Sequence, residues 1–203
     1  MVNAYANADL KKPLLGQMAE GFEKKGMMLR IFKALYGLKT SALLWYQELV
    51  SKLNEFGLEQ VAGVNCLFTN EWLTVIFYVD DIVVFYAPQH ESRMNQFETK
   101  LDSAYEMHKL GEVDHFLGIR VIRDMPARKT WLLQDSYISN LAIKFNIIVT
   151  KVPNILLPAG DLVPNPNQAT TSQIHGYQQK VGSLNYPTYI TRPECARLAK
   201  VLC

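Results

Sequence analysis

Between Ser41 and Phe56 the apolar residues Leu43, Leu44, Leu49, Val50, Leu53 and Phe56 recur at three- and four-residue spacing, which predicts an amphipathic helix over 41–56. Ser41 is placed to cap its start and Gly57 to end it. The period then shortens. Cys66-Leu67-Phe68-Thr69 and Leu73 to Val79 read as strands around the turn Asn70-Glu71-Trp72, and a further apolar run, Ile82 to Phe85, follows Asp80-Asp81 at once. A second amphipathic helix over 91–109 carries Met94, Phe97, Leu101 and Tyr105 on one stripe, predicted to be core, and stops at Gly111. His115 to Ile122 and Thr130 to Gln134 read as strands joined through Met125-Pro126-Ala127-Arg128, and Ser136 to Phe145 as a helix carrying Ile138, Leu141, Ala142 and Phe145. The order helix, hairpin, helix, hairpin, helix predicts an α+β fold rather than a doubly wound sheet.

From Val152 to Gln168 the pattern lapses. Pro153, Pro158, Pro164 and Pro166, with Gly160 and Asn165, make a poor core and an extended linker. Beyond it, Tyr177 to Leu184 and Pro193 to Leu202 read as short helices, separated at Pro187, where a missing N–H and a ring clash would kink or break a helix.

Composition narrows the classes. The three cysteines, Cys66, Cys195 and Cys203, are far apart and form no CxxC pair, which argues against a secreted disulfide framework or a zinc module. No apolar run approaches the roughly 18 residues of a membrane span, and the Met1 end lacks a basic-then-apolar signal. A soluble, non-secreted protein of the cytoplasm or nucleus, with no membrane partner, is expected. The net charge of +2 is too small to announce a nucleic-acid binder, but it divides unevenly: +2 over residues 1–60, −5 over 61–120 and +5 over 121–203. Such asymmetry suits either differently solvated faces or an acidic centre for cations followed by a basic arm for phosphates. Lys144, Lys151, Lys180 and Arg192 are the candidates for phosphate contact, dispersed on either side of the linker.

The acidic dipeptide carries the most chemistry. Unpaired carboxylates in an apolar setting cost several kcal/mol, so Asp80 and Asp81 need either open water in an exposed turn or a divalent cation. Magnesium suits hard carboxylate oxygens and takes its remaining ligands from water and substrate phosphates. Adjacent strand residues point to opposite faces, so a two-metal site would need a third carboxylate from another segment.

Five blocks then resemble, in order, the reverse transcriptase domain of copia-type LTR retrotransposons: NAYANADL at Asn3 to Leu10, ALYGLKTSALLWY at Ala34 to Tyr46, YVDDI at Tyr78 to Ile82, KLGEVDHFLGI at Lys109 to Ile119, and YQQKVGSLNYPTYITRPE at Tyr177 to Glu194. Each block is weak alone; five in order across nearly the whole chain are specific, and they weight the metal reading over the exposed turn. The resemblance implies a polymerase palm-like antiparallel sheet with packed helices over 1–150, the linker at 151–168, and a partial thumb or connection segment at 169–203. It implies Asp80 as main magnesium ligand with Asp81 as its partner, Tyr78 near the primer end, Tyr5 under the incoming sugar, and Thr40 near the nucleotide. It also implies a primer grip at Leu117 and Gly118. The partners would be an RNA template, a DNA primer and a deoxynucleotide.

Two departures accompany the match. The family's other catalytic aspartate stands five residues before the aromatic at Tyr5, which falls one residue ahead of Met1, and Asp9, displaced from that position, reads as a surface acid. Thr40 replaces the family's usual glutamine. The family's basic fingers, which precede the first block, and a following ribonuclease H domain are not represented. Lys109 with His108 lies where such polymerases can keep a proton donor for pyrophosphate, a position better described as a solvated helix end that favours cations. The expectation is a reverse transcriptase fragment with impaired catalysis. The alternatives are a non-catalytic remnant with weak nucleic-acid affinity and, from the hairpin alone, a small magnesium hydrolase.

Overall fold

The computed structural model describes residues 1–148 and 167–202. Most of the expected linker, with Lys151, lies outside the described residues, as does Cys203. The chain divides into two compact units, Met1–Gly111 and Glu112–Cys203.

The first unit opens with a 3₁₀ turn, Ala4–Asn7, followed by antiparallel strands β1 (Asp9–Gly16) and β2 (Leu29–Lys33). Pro13, which cannot donate a ladder bond, sits where the register shifts between Asp9 and Leu14. Helix α1 (Ser41–Glu55) precedes a four-stranded antiparallel sheet in the order β3 (Glu59–Gln60), β4 (Leu67–Thr69), β5 (Leu73–Tyr78), β6 (Asp81–Tyr86). Helix α2 (Glu91–Ala104) completes it. The expected pairing of Ile76 with Val83 is present, and every residue from Leu73 to Tyr78 has its partner between Asp81 and Tyr86.

The core of this unit joins Trp45, Leu49 and Leu53 of α1, Leu73, Val75 and Phe77 of β5, and Met94, Phe97, Leu101 and Tyr105 from and beside α2. Two expectations on α1 need correction. Leu43 faces out at 57% exposed, and Trp45 fills the central position, because burial follows the 41, 45, 49, 53 stripe. Ser41 does not cap the helix; Thr40 occupies that place without a side-chain bond. The other end is as expected. Gly57 adopts φ 79°, its N–H bonds to the Asn54 carbonyl, and the Leu58 N–H bonds to that of Leu53, closing the helix with a left-handed glycine. Helix α2 stops earlier than expected: Tyr105 turns extended (ψ 147°) to keep its ring in the core, and Gly111 lies beyond.

The second unit holds strands β7 (His115–Phe116), β8 (Ile119–Asp124) and β9 (Lys129–Leu133), then helices α3 (Asp135–Lys144), α4 (Thr171–Ile190) and α5 (Ala196–Leu202). The strand expected over His115 to Ile122 is broken by a reversal at Leu117–Gly118, whose φ values, 51° and 78°, are both left-handed. Ile138 is 38% exposed rather than core. Pro187 does not separate two helices. α4 runs through it because the Ser183 carbonyl, deprived of its usual partner by the proline, accepts from the Tyr137 hydroxyl of α3 at 3.0 Å. The start of α4 is fixed by a capping box between Thr170 and Gln173.

Candidate active site

Strand β5 alternates buried and half-buried residues until Tyr78, where the chain reverses. Tyr78 pairs with Asp81, so Val79 and Asp80 make up the whole turn. A two-residue hairpin turn needs positive φ, the usual station of glycine or asparagine. Here Val79 takes it at φ 52°. For a β-branched residue this costs about 1–2 kcal/mol, and such strain persists only where the surroundings over-determine it.

Two side-chain donors do so. The Trp45 indole N–H donates to the Val79 carbonyl at 2.9 Å. The Tyr36 hydroxyl lies 2.7 Å from Oδ2 and 2.9 Å from Oδ1 of Asp80, to which it donates. Tyr36 is itself held from below. The buried Ser41 hydroxyl donates to the Leu35 carbonyl at 2.6 Å and accepts from the Leu35 N–H at 3.1 Å, pinning the residue beside it. The Tyr5 ring packs on the Tyr36 ring, 4.4 Å between centroids at 39°. The hydrogen bond to Asp80, reinforced by partial burial and the carboxylate charge, pushes the Tyr36 phenol up to about 12, so at neutral pH it stays a donor.

Asp81 opens β6 as an exposed residue, opposite the exposed Tyr78 on the sheet face away from Leu73, Val75 and Phe77. The two aspartates offer hard oxygens, the donor type that magnesium takes alongside water and phosphates. Among the described residues no group of three or more His, Cys, Asp or Glu stands together as a metal site, so the third carboxylate that a two-ion site requires is not found there. A cleft of about 600 Å³ lined by Lys33, Glu48, Lys52, Lys100 and Tyr105 includes neither aspartate.

Comparison with known proteins gives the context. A family model described as "Reverse transcriptase (RNA-dependent DNA polymerase)" matches residues 1–158. The chain belongs to this reverse transcriptase family. It is 28% identical to the retrovirus-related Pol polyprotein from transposon TNT 1-94 of Nicotiana tabacum, over 98% of this chain and 16% of that protein. It is 31% identical to the transposon Ty1-GR3 Gag-Pol polyprotein of Saccharomyces cerevisiae, over 55% of this chain and 6% of that protein. The chain thus spans a small part of its retrotransposon relatives. No solved structure matches it.

In this reverse transcriptase chain, the structure brings Tyr5, Tyr36 and Asp80 into one contact series, with Tyr78 and Asp81 paired beside it on the same hairpin. Thr40 is exposed immediately before α1. Leu117 and Gly118 form the β7–β8 turn of the second unit. Lys109 is clasped by Glu98 at 2.8 Å and Asp102 at 3.1 Å, hydrogen bonds that raise its pKa. Asp9 is a surface acid paired with Lys33 at 2.8 Å. Of the phosphate-contact candidates, Lys144 and Lys180 approach the Phe145 ring at 5.2 and 6.0 Å, and Arg192 pairs with Glu194 at 3.2 Å. No helix among the described residues is long and apolar enough to cross a membrane.

Sequence reasoning missed Tyr36, Trp45 and Val79. Two of them lie in the block Ala34 to Tyr46, and each is an aromatic with a polar tip, a type that finds a hydrogen-bond partner when packed. The third was visible as valine where a two-residue reversal between apolar runs ordinarily has glycine or asparagine.

Proposed function

We propose that this chain is a palm-like part of a copia-type retrotransposon reverse transcriptase, built on the β3–β6 sheet with α1 and α2, and that its turnover is impaired. The observation that carries this reading is the strained two-residue turn Val79–Asp80, which holds a carboxylate at a hairpin tip under a phenol and an indole. Strain retained by dedicated tertiary ties is the signature of a functional position. Asp80 and Asp81 would hold magnesium, and Tyr36 fixes the Asp80 carboxylate. The Tyr5 ring, packed on Tyr36, offers a floor for a deoxynucleotide sugar, with Thr40 near the nucleotide. Exposed Tyr78, beside the tip, would receive a primer end over an RNA template; in the second unit, taken by itself, the Leu117–Gly118 turn is the candidate primer grip. When bound, the ion supplies the positive charge that stabilises phosphoryl transfer to the primer 3′ hydroxyl.

Impairment follows from the donor set. Among the described residues no third carboxylate joins Asp80 and Asp81, and a second ion bound poorly for that reason would forfeit several kcal/mol and lower the rate roughly a thousandfold. The test is primer extension on a homopolymer RNA template with magnesium. Extension at a small fraction of an intact polymerase's rate, abolished by Asp80→Asn, is the expected result. Extension that Asp80→Asn leaves intact would remove Asp80 from the site. Complete inactivity with nucleic-acid binding retained would favour the non-catalytic remnant.

A further inference from the structure

The turn that carries Asp80 rests on one buried donor. Trp45 is 2% exposed, and its ring meets Tyr105 edge-on at 5.3 Å and 81°. Its indole N–H can only donate, and the Val79 carbonyl is its acceptor. Were Val79 to relax to an ordinary negative φ, that peptide would rotate and leave the indole unsatisfied in the core. An orphaned buried donor carries a penalty comparable to that of left-handed strain, and so opposes the relaxation. The carbonyl that accepts belongs to the same planar peptide as the Asp80 amide nitrogen. Fixing its direction therefore fixes where the Asp80 side chain starts. Tyr36 then acts at the other end of that side chain, on the carboxylate.

We infer that Trp45 is a positioning residue: through its hydrogen bond to the Val79 carbonyl it holds the strained Val79–Asp80 peptide, and so sets how well the Asp80 carboxylate binds a divalent cation. The inference rests on the reading of Asp80 as a metal ligand. Trp45 itself touches neither the cation nor a substrate.

The test uses the whole chain and manganese as a spectroscopic probe for magnesium. Trp45→Phe keeps an aromatic in the core and deletes the N–H. Loss of such an outer-sphere support weakens metal binding by about tenfold or more, and that is the shift expected in a manganese titration followed by electron paramagnetic resonance. The amide chemical shifts and hydrogen exchange of residues 79–81 should change in the same variant, with those of the Leu117–Gly118 turn unchanged. Adding Val79→Gly, which removes the cost of positive φ, should recover much of the affinity without restoring the indole bond. A purely structural role for Trp45 would not produce that rescue. Leu53→Ala controls for stability, because it empties core space on the same helix face away from the turn and should leave manganese affinity alone. Unchanged affinity and unchanged amides at 79–81 in Trp45→Phe would overturn the inference, as would an equal loss of affinity in Leu53→Ala. Manganese binding that survives Asp80→Asn would instead overturn the metal-ligand reading, while altered 79–81 amides in Trp45→Phe would still support positioning of the peptide.

Discussion

Val79–Asp80 and Leu117–Gly118 each reverse an antiparallel pair in two residues, and each puts a bulky aliphatic residue at positive φ, 52° for Val79 and 51° for Leu117. The second turn is relieved locally. Gly118 takes the next left-handed position at φ 78°, and Leu117 stands 43% exposed. The first has no glycine and is held from a distance, by an indole 34 positions earlier in sequence and a phenol 44 positions earlier. A hairpin that only needs to reverse the chain solves its strain with sequence neighbours. One that must present a carboxylate in a fixed place draws on the core.

The largest effect that would break this contrast is on stability. Trp45→Ala removes a buried aromatic and the tie together and should cost the first unit about 3–5 kcal/mol, whereas Leu117→Ala should change the second by no more than about 0.5 kcal/mol. Urea unfolding, followed by hydrogen exchange in each sheet, measures both. Next comes relief of strain. Leu117→Asn creates the favoured Asn-Gly pair and should stabilise the β7–β8 hairpin by about 0.5–1 kcal/mol. The same change at Val79 should yield little or nothing, because the valine packs against the core and the indole already fixes its carbonyl. Equal gains at both turns would erase the distinction.

Smaller effects sharpen the picture at Tyr36. Tyr36→Phe removes a hydrogen bond at an exposed residue and should cost less than about 1 kcal/mol in thermal unfolding, while leaving the shifts at Val79 almost untouched. The smallest is a pH effect. The Tyr36 phenol is raised from 10.0 to about 12, so its contribution to stability is complete below pH 10 and disappears as pH climbs through 12. A phenolate absorbance titration, read as the difference between the natural chain and Tyr36→Phe, should show that late-ionising tyrosine. A difference centred near pH 10 would mean the bond to Asp80 does not form.

The elements with a strong period were legible in sequence: α1, the β5–β6 pair, and the α2 stripe of Met94, Phe97, Leu101 and Tyr105, all of which the core explains. The acidic dipeptide announced itself by standing between two apolar runs. What escaped was set by tertiary partners. Ser41 looked like a helix cap, yet its hydroxyl serves Leu35 in the preceding loop. Leu117 read as strand because a leucine gives no turn signal. Tyr36 acquires its role from Asp80, and no local pattern around either residue links them.

Pro187 carries an implication of a different kind. The Ser183 carbonyl, capped by Tyr137 rather than by an amide of its own helix, ties the C-terminal turns of α4 to α3. The segment 171–202 is therefore expected to rely on α3 for its order at the proline. Excised as a peptide, it would lose the phenol and bend or fray at the proline, so the C-terminal helices should melt cooperatively with α3 even though the chain between them is long.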